Sequence, residues 1–209
     1  MMRIDLLKTS PDRAGRYWVT FSDGTKLGLY RQTVEDFGLY TGMELDEDQL
    51  EALRSAAGKM SAKMRAVRIV SASSVSKRDL QERLVRKGED PDQAREAVEW
   101  MEELHLLDDR NTAEQVVHSC ISKGYGLARA KQALYEKRIP KAYWEEALRD
   151  YPDQQEKILS FLRSRIDDPS DRRQVKRAVD ALIRRGHNYG NIREALSELS
   201  CETDDFPEE

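Results

Sequence analysis

The chain has 209 residues, 39% hydrophobic and 35% charged, with a mean hydropathy of -0.77 and a formal net charge of -4. That charged share exceeds the roughly one quarter typical of globular chains and points to a high ratio of surface to interior, as in an elongated or modular protein. No uncharged apolar run approaches the roughly 20 residues that span a bilayer, the first residues lack a signal-peptide core, and Cys120 and Cys201 have no neighbouring cysteine, so no membrane span is expected, neither a disulfide framework nor a zinc site is suggested, and a cytoplasmic location is expected.

Strand character is confined to the N-terminal region. Tyr17–Phe21 and Lys26–Tyr30 are β-rich and flank Ser22-Asp23-Gly24-Thr25, a hairpin pattern in which Asp-Gly supplies the positive φ angles of a type I′ turn. A lone hairpin is marginal in water, so a further strand around Ile4 to Leu7 or packing on the next segment is expected. From Asp46 the pattern turns helical. Leu50, Leu53, Ala57, Met60, Met64 and Val67 recur at intervals of three and four, which predicts one apolar stripe along a long helix, weakened but not ended by Gly58. Asp90-Pro91-Asp92-Gln93 is a helix start, with Asp90 as N-cap, Pro91 at the first helical position and Gln93 placed to reach back to the cap. Ala94, Ala97, Val98, Met101 and Leu104 then form its buried face. Further helical segments follow to Leu199, separated by Gly- and Pro-bearing breaks such as Lys123–Gly126, Ile139-Pro140 and Gly186–Gly190.

Three of these segments superpose. Leu84-Val85-Arg86-Lys87-Gly88, Leu134-Tyr135-Glu136-Lys137-Arg138 and Leu182-Ile183-Arg184-Arg185-Gly186 each begin with Leu and carry a base in the fourth place, and Ala97-Val98, Ala147-Leu148 and Ala195-Leu196 follow at the same distance. A period of roughly 50 residues is that of stacked helical units whose faces are buried only by their neighbours. The expected fold is mainly α: tandem three-helix repeats in an elongated, solenoid-like array with a small N-terminal β-hairpin extension. The expected divisions are residues 1–45 for the extension, 46–107 for a first repeat with a long leading helix, 108–152 and 153–200 for the second and third repeats, and 201–209 for an acidic tail.

Charge is banded along the chain. Glu89 through Asp109 holds one lysine or arginine, Arg95, and Glu194 through Glu209 holds none, whereas bases gather in the middle helix of each repeat. On the third of these Val175, Ala178, Val179, Leu182 and Ile183 form the apolar stripe, with Arg173, Arg177 and Arg184 on the opposite side. The basic residues expected to meet a partner are Arg83, Arg86 and Lys87 in the first repeat, Arg129, Lys131, Lys137 and Arg138 in the second, and Arg173, Lys176, Arg177, Arg184 and Arg185 in the third. Tyr135, Tyr143, Trp144 and Tyr189 lie near them; Trp144 and Trp100 are read as core between helices. No phosphate loop, dinucleotide fingerprint, nucleophile elbow or zinc-protease helix is present, and His105, His118 and His187 are scattered singly. No catalytic, cofactor or metal residues are assigned, and the chain is not expected to be an enzyme.

Four stretches resemble the RecX family of bacterial regulators of the RecA recombinase. Val75 to Leu84 resembles the family's Ser-x-x-Glu-Leu-x-x-x-Leu, with Asp79 for the usual Glu. Leu106-Leu107-Asp108-Asp109 through Ala113 is similar to its Leu-x-Asp-Asp-x-x-x-Ala junction, with Thr112 in place of an aromatic. Gly126 to Ile139 follows Gly-x-x-Arg-Ile-x-x-x-Leu-x-x-Lys-Gly-Ile, with Ala130 for Ile and Arg138 for Gly, and Arg184-Arg185-Gly186-His187 resembles the closing Arg-Arg-Gly-Phe. The resemblance runs from about Ala66 to Leu199. It implies a monomeric protein that binds the RecA nucleoprotein filament and inhibits RecA's ATPase, strand-exchange and co-protease activities, with weak binding of single- or double-stranded DNA alongside. A rival reading is a DNA-binding regulator that acts without RecA and uses one three-helix unit as a helix-turn-helix reader.

Overall fold

The structure, a computed structural model, describes residues 1–11 and 15–199. It divides into two compact units, Met1–Leu107 and the chain from Asp108 onward. The acidic tail, 201–209, and Cys201 lie outside the described residues.

In the first unit, strands β1 (Met2–Thr9), β2 (Arg16–Phe21), β3 (Lys26–Tyr30) and β4 (Glu44–Leu45) form an antiparallel sheet in the order β3-β2-β1-β4. The expected hairpin is thus enlarged to four strands, with β1 as the further strand. The turn departs from type I′: only Gly24 has a positive φ, +82°, and the Gly24 amide donates to the Phe21 carbonyl at 2.9 Å. Asp23 keeps an ordinary φ because its carboxylate is used locally, accepting from the Thr25 hydroxyl at 2.6 Å and the Thr25 amide at 2.9 Å, which holds its pKa below the usual carboxylate range. A short helix, α1 (Arg31–Asp36), precedes β4.

Helix α2 (Glu47–Ala72) starts in a reciprocal capping box, Asp46 accepting from the Gln49 amide and Gln49 from the Asp46 amide. It serves two cores. Its first half sends Leu50, Leu53 and Ala57 against Ile4, Val19, Phe21, Leu29 and Leu45 of the sheet. Its second half buries Ala62 and Ala66, not Met60 and Met64, against α3 (Lys77–Arg86) and α4 (Pro91–Glu103). The small alanines let α3 and α4 approach closely, which turns the longer methionines outward; Met64 is 36% exposed. Gly58 fits the same pattern, because Gln93 of α4 lies over it where a β-carbon would stand. The Gln93 side chain therefore packs on α2 instead of reaching back to its cap, and Asp90 caps α4 by accepting from the Asp92 and Gln93 amides.

The second unit runs α5 (Asp109–Ser122), α6 (Leu127–Glu136), a 3-10 turn at Lys141–Tyr143 leading into α7 (Trp144–Leu148), then α8 (Gln155–Arg163), α9 (Arg172–Arg184) and α10 (Tyr189–Glu198). The chain is mainly α, built of three-helix repeats behind a small N-terminal sheet. The repeated Leu-x-x-base motif is a helix C-terminus. Leu84, Leu134 and Leu182 are at most 1% exposed, and their carbonyls accept from the amides of Glu89, Ile139 and His187 at 3.1, 3.1 and 3.2 Å. That six-to-one bond needs a left-handed residue just before it, supplied by Gly88 (φ +90°), Arg138 (φ +56°) and Gly186 (φ +83°). The following Ala-apolar pair recurs less evenly: Ala97, Val98, Ala195 and Leu196 are buried, while Ala147 and Leu148 on the five-residue α7 are half-buried.

Truncating Leu84, Leu134 or Leu182 to Ala costs about 2–5 kcal/mol. The turns make a finer prediction. Arg138 occupies the one repeat turn without glycine, so Arg138→Gly relieves left-handed strain and stabilises by about 1 kcal/mol. Thermal unfolding shows this as a rise of a few degrees in Tm, whereas Gly88→Ala lowers Tm; an Arg138→Gly variant that melts earlier than the parent contradicts it.

Candidate functional site

Two turns of the second unit meet backbone to backbone. The Gly126 amide donates to the Arg185 carbonyl at 2.9 Å and the Ala128 amide to the Gly186 carbonyl at 3.3 Å. A β-carbon on Gly126 would overlap the Gly186 carbonyl, and one on Gly186 would overlap the Arg129 backbone. Side chains close the joint. Arg185 donates to the Lys123 carbonyl at 3.1 Å, Lys157 to the Ile121 carbonyl at 2.6 Å and Tyr151 to the Tyr125 carbonyl at 2.6 Å. Burial, reinforced by Cys120 nearby, pushes the Tyr151 hydroxyl up to about 12, so it stays a donor. His187, 8% exposed, sets Nε2 3.0 Å from the Gly124 carbonyl; as a donor to that carbonyl the nitrogen carries the proton. Burial lowers its pKa against the opposing effect of that bond, with nearby Arg185 adding to the decrease.

Joining α6 to α9 in this way opens a groove of about 750 Å³ lined by Tyr125, Arg129, Phe161, Arg165, Gln174, Arg177, Ala178, Ala181, Arg184 and Arg185. Five of these ten are arginines and none is acidic. The Arg185 guanidinium lies 5.5 Å from the Tyr125 ring centroid and 5.1 Å from that of Phe161, and Arg165 lies 5.6 Å from Phe161. Arg184 donates to the Asp180 carbonyl at 3.2 Å, and Arg177 has no ion pair among the described residues. Guanidinium planes held by rings and carbonyls lose little freedom on binding and match the paired oxygens of carboxylate or phosphate. The groove is therefore suited to an anionic surface.

The twelve basic residues expected from the sequence do not form one surface. Arg129, Arg177, Arg184 and Arg185 line the groove, although Arg129 is also paired with Glu136 at 2.9 Å. Arg173 and Lys176 are exposed on α9 outside its lining, and Lys131 lines a different recess beside Asp153 and Asn188. Lys137 and Arg138 form the α6 end turn. In the first unit Arg86 and Lys87 are exposed, while Arg83 grips the buried Asp79 of its own helix at 2.9 and 3.0 Å. Ile183, placed with the apolar stripe of α9, is 49% exposed. Of the aromatics, Tyr143 and Trp144 pack into the second repeat, Tyr189 packs on the third, and Tyr135 is 72% exposed. Sequence reasoning missed Phe161 on α8 and Arg165 in the turn just past its end, and took Tyr125 only as part of a turn; the signal for the pair was an arginine four residues after an aromatic, Phe161 to Arg165.

Repeated three-helix units joined at their turns define a tandem helical-repeat protein, and comparison with known proteins gives its family. Residues 108–148 match the family model described as RecX, second three-helix domain. The regulatory protein RecX of Halorhodospira halophila is 30% identical over 148 residues, 68% of this chain and 92% of that protein. That of Clostridioides difficile is 23% identical over 94% of both chains. A crystal structure of regulatory protein RecX superposes with a TM-score of 0.61 at 21% identity, covering 93% of this chain and all of that one, and RecX from Lactobacillus salivarius gives 0.59 over 69% of this chain. The chain belongs to the RecX family of regulatory proteins. No helix among the described residues is long and apolar enough to cross a membrane.

His187 stands where the family resemblance has Phe, and its environment makes stability depend on pH. Its folded pKa lies below the ordinary value of about 6.5, so the unfolded chain takes up the proton first. The stability contributed by neutral His187 is complete above that ordinary value and is lost as pH falls through the lowered folded one. Urea unfolding at pH 7.5 and pH 5.5 therefore shows a smaller loss of stability for His187→Phe than for the parent chain. Equal losses in both proteins rule this out.

Proposed function

We propose that the chain binds the RecA–DNA filament and modulates, in the inhibitory direction, RecA's ATPase, recombinase and co-protease activities, with the arginine groove as part of the contact. The groove carries this reading: a row of five arginines, in which Arg129 alone has a carboxylate partner among the described residues, is costly to gather through mutual repulsion and is offset when an anionic surface covers it. Acidic side chains of filament subunits and DNA phosphates both supply such a surface. A ligand that bridges neighbouring subunits favours one filament geometry and resists the changes that turnover requires. The same reading places the protein in the cytoplasm, in recombination and DNA repair, as a monomer that acts on a polymer.

Purified protein at stoichiometric amounts then slows the DNA-dependent ATPase of RecA, and the effect weakens as salt rises. Reversing Arg173, Arg177 and Arg184 together to Glu weakens filament binding by at least about tenfold, since two or more charge-assisted hydrogen bonds at about 1.5–3 kcal/mol each are lost. Because all three side chains are exposed, the variant's Tm stays near that of the parent. An ATPase rate unaffected by the parent protein sinks the proposal; unchanged binding by the triple variant moves the contact away from α9.

A further inference from the structure

The outer face of the N-terminal sheet carries side chains that its core does not use. On β2, Val19 and Phe21 are buried against α2, so Arg16, Trp18 and Thr20 face away. Pairing carries this alternation across the sheet: Trp18 lies between Lys8 of β1 and Gly28 of β3, Arg16 opposite Tyr30, and Thr20 opposite Lys26. The indole covers Gly28, where a β-carbon would stand 3.3 Å from the ring and 3.5 Å from the Arg16 guanidinium. Trp18 nonetheless remains 42% exposed. Arg16 in turn stacks 4.1 Å from the Tyr30 ring centroid, and the Tyr30 hydroxyl accepts from Arg68 at 3.1 Å.

Stability alone does not account for this row. A strand that only had to pair would favour a β-branched residue at position 28, and the glycine instead leaves room that the edge of the indole occupies. Bases prevail around it: Lys8, Arg16 and Lys26 have no ion pair among the described residues, Asp5 is paired with Arg3, and Asp23, which keeps its charge, is held in the β2–β3 turn by Thr25.

We propose that this face binds single-stranded nucleic acid, with a base stacked on Trp18 and phosphates against Lys8, Arg16 and Lys26. An open ring beside unpaired cations is what a single strand uses, because its bases are free to stack whatever their identity and its backbone supplies the negative charge. A duplex hides its base faces from the indole, and an acidic peptide has no use for it. The surface belongs to the first compact unit and stands or falls independently of the arginine groove.

The full-length protein tests this by titration with oligo(dT) at low salt, read by tryptophan fluorescence. Trp100 and Trp144 pack against cores, so quenching reports Trp18. Oligo(dT) quenches the emission, and inorganic polyphosphate does not. For the variants, affinity is read by the fluorescence anisotropy of end-labelled oligo(dT), and Trp18→Thr weakens binding by at least about fivefold, the effect of removing one stacked base. The Lys8→Glu, Lys26→Glu variant, which keeps the indole, also weakens binding and flattens its salt dependence. Arg177→Glu with Arg184→Glu leaves the quenching in place. Absence of quenching by oligo(dT), equal quenching by polyphosphate, or unchanged affinity in the lysine variant each overturns the proposal.

Discussion

The approach of Gly126 to Gly186 fixes how the second and third repeats share one body. Each residue stands at a helix boundary where backbone amides or carbonyls lack a partner within their own helix, and each turn supplies what the other lacks. A side chain at either glycine would separate the turns, so the hydrogen bonds across the joint are available only to residues without a β-carbon. Tyr151, Lys157, Arg185 and His187 then close the joint onto carbonyls of the α5–α6 turn. That joint brings Arg129 and Tyr125 of the second repeat against the arginines of the third, because α6 and α9 would otherwise present their charges separately.

Electrostatics and packing are divided between different parts of each repeat. Apolar stripes such as Val175, Ala178, Val179 and Leu182 hold the helices, and the flanking bases do little for the fold. Where a base is used for the fold, as Arg83 is on Asp79 or Arg65 on the buried Glu89, its partner is largely buried and the pair is screened from water. Arg177 and the ring-stacked Arg165 are of the other kind, with no ion pair among the described residues, while Arg185 uses its guanidinium on the Lys123 carbonyl.

Much of the repeat could be read from the sequence because it obeys local rules. The Leu-x-x-base motif is a helix C-terminus, and its Leu, cap and left-handed residue all lie within five positions, so periodicity and turn chemistry expose them together. Long-range pairing was less legible. That Ala62 and Ala66 replace Met60 and Met64 in the core depends on how closely α3 and α4 approach α2, and Gln93 abandons its cap only because Gly58 makes room for it. The groove was half visible: its α9 and α6 arginines came from charge counting, whereas Phe161 and Arg165 join the α9 arginines through the packing of α8 on α9, and Tyr125 joins them only through the turn-to-turn contact, which spans some sixty residues of chain. β4 and α1 were missed because two and six residues carry too little periodicity to register.

Hydrogen exchange on the parent chain and on Gly126→Ala, combined with RecA filament binding, tests most directly whether the glycine joint holds the arginine groove together. The amides of Gly126 and Ala128 should exchange slowly in the parent, as core amides do. In the variant they should exchange rapidly and filament binding should fall, while the far-ultraviolet circular dichroism of the helices persists. Filament binding at full strength in a variant that has lost this protection would contradict the account.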